Sequence, residues 1–169
     1  MTVDYAADLK LFVDGSWRAG EGRDSHAVVN PATGATIADL PLATAADLDE
    51  TLAAAEKGFA LWRATDVEAR GAILHKTANL LRERVESIAV TLTMEQGKPL
   101  GEARGEILSS AAFLDYAAEE AKRVYGRVLI RPAGQRSIVI RQPVGVVASF
   151  TPWNFPLYLM AKKVASALA

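Results

Sequence analysis

From Leu48 onward, apolar residues recur at steps of four and three. Leu48, Leu52, Ala55, Phe59 and Trp62 form one stripe with the period of an α-helix. Thr44 is placed to cap that helix, and Asp47 falls in its first turn, where the helix dipole favours negative charge. Asp66 caps a second pattern, made of Leu74, Ala78, Leu81, Val85, Ile88 and Leu92. It runs to about Gln96, with or without a break, and Gly97 stops it. A third helix is predicted from near Pro99, a residue suited to the first helical turn. Its stripe is Ile107, Ala111, Leu114, Ala118, Ala121 and Tyr125, and Gly126 ends it.

Short alternating segments precede these helices. Leu9–Val13 and Ser16–Arg18 flank the hairpin dipeptide Asp14-Gly15. Strands are expected at Ser25–Val29 and Thr36–Leu40, separated by Asn30-Pro31 and Thr33-Gly34. Gly20-Glu21-Gly22-Arg23-Asp24-Ser25 comes close to a phosphate-binding GxGxxG. No hydrophobic strand precedes it and no amphipathic helix follows, so it reads as a tight turn.

Past Gly126 the period changes to two. Arg127–Arg131 and Arg136–Gln142 read as a hairpin turning at Pro132-Ala133-Gly134-Gln135. Both its faces are mixed, which suits either a ribbon packed on another subunit or domain, or one washed by solvent. Val144–Phe150 is a continuous apolar run, as in a parallel-sheet strand buried on both faces. Thr151–Pro156 interrupts it, and a helix follows from Leu157. This strand, loop and helix form the first half of a β-α-β unit. One parallel strand needs neighbours that the rest of the chain hardly supplies. The last helix also reaches Ala169 without a stop signal, so the expectation is a fragment of a longer protein.

Composition narrows the function classes. A chain of 169 residues is about one domain, at roughly 100–200 residues each. Half the residues are apolar, which excludes a disordered chain, and a net charge of −1 offers nucleic acid no basic footprint. The absence of cysteine excludes disulfides, cysteine metal sites and a cysteine nucleophile within these residues. Met1–Asp14 lacks the apolar segment of a signal peptide, and no apolar run reaches the roughly 18 residues a membrane span needs. The expectation is a cytoplasmic protein with no membrane partner. His26 and His75 are far apart without an acidic ligand pattern, so no metal site is expected, and His75 reads as a boundary residue. Asp47, Asp49 and Glu50 read as helix N-terminal acids, and Arg82 with Glu86 as an i,i+4 pair on a solvated face. Trp17 and Trp62 read as packing residues.

The loop Thr151-Pro152-Trp153-Asn154-Phe155-Pro156 lies at the carboxyl end of the expected buried strand, where open α/β sheets bind ligands. Two prolines stiffen it, and two aromatics flank Asn154. An amide donor held there would stabilise a developing oxyanion. The same asparagine would equally serve by bonding its own loop backbone.

That loop, preceded by Gln142-Pro143-Val144-Gly145-Val146-Val147, resembles the NAD(P)-dependent aldehyde dehydrogenase superfamily. Phe12-Val13-Asp14-Gly15 with Trp17, Asn30-Pro31-Ala32-Thr33-Gly34, and Glu95-Gln96-Gly97-Lys98-Pro99-Leu100 with Glu102-Ala103 resemble further elements of it in the right order. The resemblance implies an α/β fold of which this chain is the N-terminal portion. Residues 1–125 and 144–169 would belong to the cofactor-binding domain and 126–143 to an oligomerisation arm. It implies NAD or NADP as cofactor and oxidation of a small aldehyde through a cysteine thioester, in a homo-oligomer. Asn154 matches the asparagine that supports the oxyanion. Phe150, Thr151, Pro152 and Trp153 match the backbone wall along the dinucleotide, and Phe155 and Leu159 match positions lining the aldehyde tunnel. Lys162 falls where family members acting on succinate semialdehyde often carry arginine, which points to a carboxylated semialdehyde. Without a cysteine, these 169 residues alone are expected to lack turnover. The rival reading is a non-catalytic helical interaction module.

Overall fold

Asp14 and Gly15, with φ of 46° and 75°, close a two-residue hairpin between β1 (Leu11–Val13) and β2 (Ser16–Arg18). The computed structural model describes Tyr5 and residues 8–169, so most of the stretch before Asp8 lies outside the described residues. Trp17 meets Phe12 across the ribbon in a tilted contact, 4.9 Å between ring centroids, but stays 69% exposed, so it is not the packing residue expected. The ribbon buries only one position well, Val13.

β3 (Ser25–Val29) and β4 (Thr36–Pro41) pair antiparallel with a register shift between Val28 and Val29. The glycines before them make a turn: Arg23 N–H donates to the Gly20 carbonyl at 3.1 Å, and Gly22 has φ of 70°. α1 (Ala45–Ala64) starts with a reciprocal capping box between Thr44 and Asp47. Its apolar stripe is covered only in part. Ala55, Phe59 and Trp62 are half-buried, while Leu48 and Leu52 are exposed.

The second helical pattern divides. α2 (Val67–Glu83) and α3 (Val85–Gln96) meet at Arg84, whose φ of −103° and ψ of 15° leave the helical region. The break removes the expected Arg82–Glu86 pairing, because i,i+4 neighbours face each other only along one continuous helix. Arg82 instead pairs with Asp115, and Glu86 with Arg104. Gly97 ends α3 in the left-handed region at φ of 85°.

α4 (Leu100–Ala121) is the organising helix. α2 packs along it through Leu74, Ala78, Ala111, Leu114 and Ala118, and α3 through Ala89, Leu92, Ala103 and Ile107. α5 (Pro156–Leu168) lies on its remaining side through Ala161 and Ala165. Alanine dominates these seams, so the helices approach closely. α4 stops at Ala121 rather than Gly126, and Tyr125 is exposed. Gly126 has another use: a Cβ there would lie 2.4 Å from the Val139 carbonyl oxygen. β5 (Arg127–Leu129) and β6 (Ser137–Val139) form the expected hairpin, shortened at both strands.

Val144–Phe150 is not a strand. The described strands form three separate two-stranded antiparallel ribbons, and none lies alongside this run. A strand exists only through its ladder, so an apolar run without partners stays irregular, with Val144, Val146, Val147 and Phe150 exposed. No helix among the described residues is long and apolar enough to cross a membrane.

Candidate active site

α5 begins with three backbone N–H groups that have no intrahelical acceptor, as any helix does, apart from the one that Pro156 lacks. Its cap residue, Phe155, offers no side-chain acceptor. The acceptor comes from α4. Glu106 Oε1 receives the N–H of Leu157 at 2.9 Å and of Tyr158 at 3.1 Å. Its second oxygen, Oε2, receives the Lys98 ammonium, which also donates to the Asn154 carbonyl at 3.0 Å. The same ammonium stands 4.3 Å from the centre of the Phe155 ring. Both charged side chains are buried, with 8% and 0% of their surface accessible. A buried ion pair is tolerated when its remaining donors and acceptors are satisfied. Here both carboxylate oxygens are used, and the ammonium faces a carboxylate, a carbonyl and a ring.

Two residues from one stretch of the chain, 56 and 51 residues before their partners, thereby grip the loop from below. Lys98 follows the left-handed turn at Gly97, and Glu106 sits two turns along α4 on the stripe of Ala103, Ile107 and Ser110. The helix C-terminus of α5 is also tied down. Trp62 Nε1 donates to the Leu168 carbonyl at 2.8 Å, and Arg70 Nε to the Ala169 carbonyl at 2.8 Å.

The predicted site residues fall on either side of this clamp. Phe150, Thr151, Pro152, Trp153 and Asn154 are exposed along the loop, and Phe155 is partly covered by Lys98. Leu159 is half-buried on α5. Lys162 is exposed at its head, which lies 5.5 Å and 5.7 Å from the ring centres of Tyr158 and Phe113, and it has no ion-pair partner among the described residues. Two open concavities, of about 690 and 530 Å³, lie near Tyr116, Tyr125 and Arg141, and near Trp62, Pro143 and Val144. Neither is lined by Phe150–Phe155, so the loop stands at a surface. Glu106 went unnoticed in the sequence. The available signal was a carboxylate set within an otherwise apolar helical stripe, eight residues after a lysine.

The family model described as "Aldehyde dehydrogenase family" matches residues 17–169. The chain belongs to the aldehyde dehydrogenase family. It is 43% identical over 161 residues to 3-sulfolactaldehyde dehydrogenase of Pseudomonas putida, covering 95% of this chain and 33% of that protein. It is 39% identical over 161 residues to the NADP(+) succinate-semialdehyde dehydrogenase of Escherichia coli K12, with the same coverages. The crystal structure of an aldehyde dehydrogenase from Brucella melitensis biovar abortus 2308 superimposes with a TM-score of 0.92 at 43% identity, over 95% of this chain and 34% of that one. This aldehyde dehydrogenase chain thus spans about a third of the length of the relatives it matches, and its α/β fold is the N-terminal part of theirs. The missing strand ladder at Val144–Phe150 is a matter of absent pairing partners within the described residues, not of a different fold.

Proposed function

We propose that this chain forms the N-terminal third of an NAD(P)-dependent dehydrogenase that oxidises an aldehyde bearing a distal anionic group to the acid. The observation that supports this best is the anchored loop. Its backbone is held at Asn154, Leu157 and Tyr158 by buried charges, while Asn154 itself is exposed. A donor carried on a backbone fixed before reaction is what an oxyanion formed at the aldehyde carbon needs.

The exposed Phe150–Trp153 segment fits one wall of a dinucleotide site, with rings and backbone groups free to meet a ligand. It does not fit a phosphate cradle, because the leading N–H groups of α5 already donate to Glu106. Phe150, Thr151, Pro152 and Trp153 would hold the dinucleotide from this side. When bound, the nicotinamide supplies a hydride acceptor. In this reading Asn154 donates its amide to the carbonyl oxygen as charge gathers there. Phe155 and Leu159 exclude water from the aldehyde, and Lys162 attracts the far anion as a point charge. The nucleophile, a cysteine by resemblance, has to come from outside these residues, which contain none. Residues 126–143 would be an oligomerisation arm, a use that suits the exposed Val128, Ile130, Ile138 and Ile140.

The test is a chimera in which the matched 161 residues replace their counterpart in the E. coli enzyme. Aldehyde-dependent NADPH formation is expected, and Asn154→Ala should lower kcat by about 10²- to 10³-fold. A folded chimera without turnover, or an Asn154→Ala variant with full kcat, overturns the proposal.

A further inference from the structure

We infer that Lys98 and Glu106 act together as a positioning device for Asn154, an inference that rests on the oxyanion reading above. The geometry is a two-point grip on five consecutive residues. Lys98 Nζ fixes the Asn154 carbonyl at 3.0 Å, and Glu106 Oε1 fixes the Leu157 and Tyr158 N–H groups at 2.9 and 3.1 Å. The two anchors are themselves joined through Glu106 Oε2, so they move as one unit. Between them, Phe155 lies under the ammonium and Pro156 has a fixed φ. The peptide after Asn154 therefore has little freedom to rotate, and the direction of its side chain is set from below.

An ordinary helix cap would need only Glu106. The lysine adds something a cap does not require: a bond to a carbonyl two residues before the helix starts, on the residue that carries the amide. Both charges sit on the α3–α4 unit, so the reacting loop is referred to the rigid helical core rather than to its own flexible neighbours. Glu106 and Lys98 touch no reacting atom. They act through Asn154, and a displacement of about 1 Å at such a group is enough to cost two orders of magnitude in rate.

The test uses the double variant Lys98→Met with Glu106→Gln. It leaves no stranded buried charge, and the glutamine oxygen can still accept from Leu157 and Tyr158, so α5 keeps its cap while the tether to Asn154 is lost. In the chimera, kcat should fall about 10- to 100-fold with the aldehyde KM changed less than threefold. Lys98→Arg, which keeps a donor toward the carbonyl, should recover part of that loss. A folded double variant with kcat within twofold of its parent overturns the inference. A second readout is independent of turnover. In the chimera, selective amide labelling of asparagine, with Asn154→Asp to identify its signal, follows Asn154 directly and uses Asn30 and Asn79 as internal references. In the double variant the Asn154 pair should shift and sharpen as its backbone loosens, while Asn30 and Asn79 stay put. An unmoved Asn154 pair also overturns the inference. An inactive parent chimera would count against the proposed function instead, and the labelled spectra would then decide the positioning role alone.

Discussion

His75 on α2 holds its Nδ1 2.6 Å from Oδ1 of Asp115 on α4. Its other ring nitrogen is 3.1 Å from Glu119, so both nitrogens face carboxylates and both are best used as donors. That is possible only for the imidazolium. The bonds to Asp115 and then Glu119 raise the His75 pKa above its ordinary 6.5. A raised folded-state value means that the contribution to stability is complete below about 6.5 and disappears as pH climbs through the raised value. The histidine is partly exposed, so the effect is small and weakens with salt. His75→Gln should lower the melting temperature at pH 6 and leave it nearly unchanged at pH 9. Equal losses at both pH values would show that the histidine acts only by packing.

Asp47 is the acid beneath the N-terminal ribbons. It accepts from Arg23 and Arg18 and from the Thr44 hydroxyl and N–H, so it joins the α1 cap to β2 and to the turn before β3. The Arg23 guanidinium, then Thr44, hold its carboxyl well below the usual carboxylate range. This stabilisation is present above about pH 4 and fades only in strong acid. Thr44→Ala should cost about 1 kcal/mol, as for other helix caps. Asp47→Ala should cost more, because it also frees two arginines. Urea midpoints of the two variants check the order, and a Thr44→Ala loss equal to or greater than that of Asp47→Ala contradicts it.

Gly97 serves two constraints. Its φ of 85° ends α3, and an added Cβ would come within 2.8 Å of the Pro31 Cγ. Gly97→Ala should therefore cost more than the roughly 1 kcal/mol of left-handed strain alone. Pairing it with Pro31→Ala should return part of the loss, since only the clash and not the strain is relieved. Denaturant melts of the four proteins in this cycle give the coupling, and strict additivity would place Pro31 elsewhere.

These residues show what a linear pattern carries. The Thr44 cap, the Asp14-Gly15 hairpin and the Gly97 stop were legible because each is decided within a few residues. The helix break at Arg84 was not, since the stripe from Leu74 to Leu92 keeps its period across it. Val144–Phe150 read as a strand from its apolar run, but a strand depends on ladder partners that local sequence does not specify. The Asn154 loop was legible as a rigid bend. Its support was not, because Lys98 and Glu106 reach it from 56 and 51 residues away.

Lys162 carries the substrate prediction. Its amine sits over Tyr158 and Phe113 and lacks an ion-pair partner among the described residues. Under the proposed function a lysine would meet a distal anion as a point charge, without demanding the planar fork that arginine would match to a carboxylate. In the chimera, Lys162→Met keeps the stem over the rings and removes only the charge. The KM for succinate semialdehyde should rise about tenfold, the scale of one charge-assisted hydrogen bond, while that for an uncharged aldehyde of similar length stays within twofold. Equal KM changes for the two aldehydes would mean that Lys162 shapes the tunnel through its stem and reads no charge.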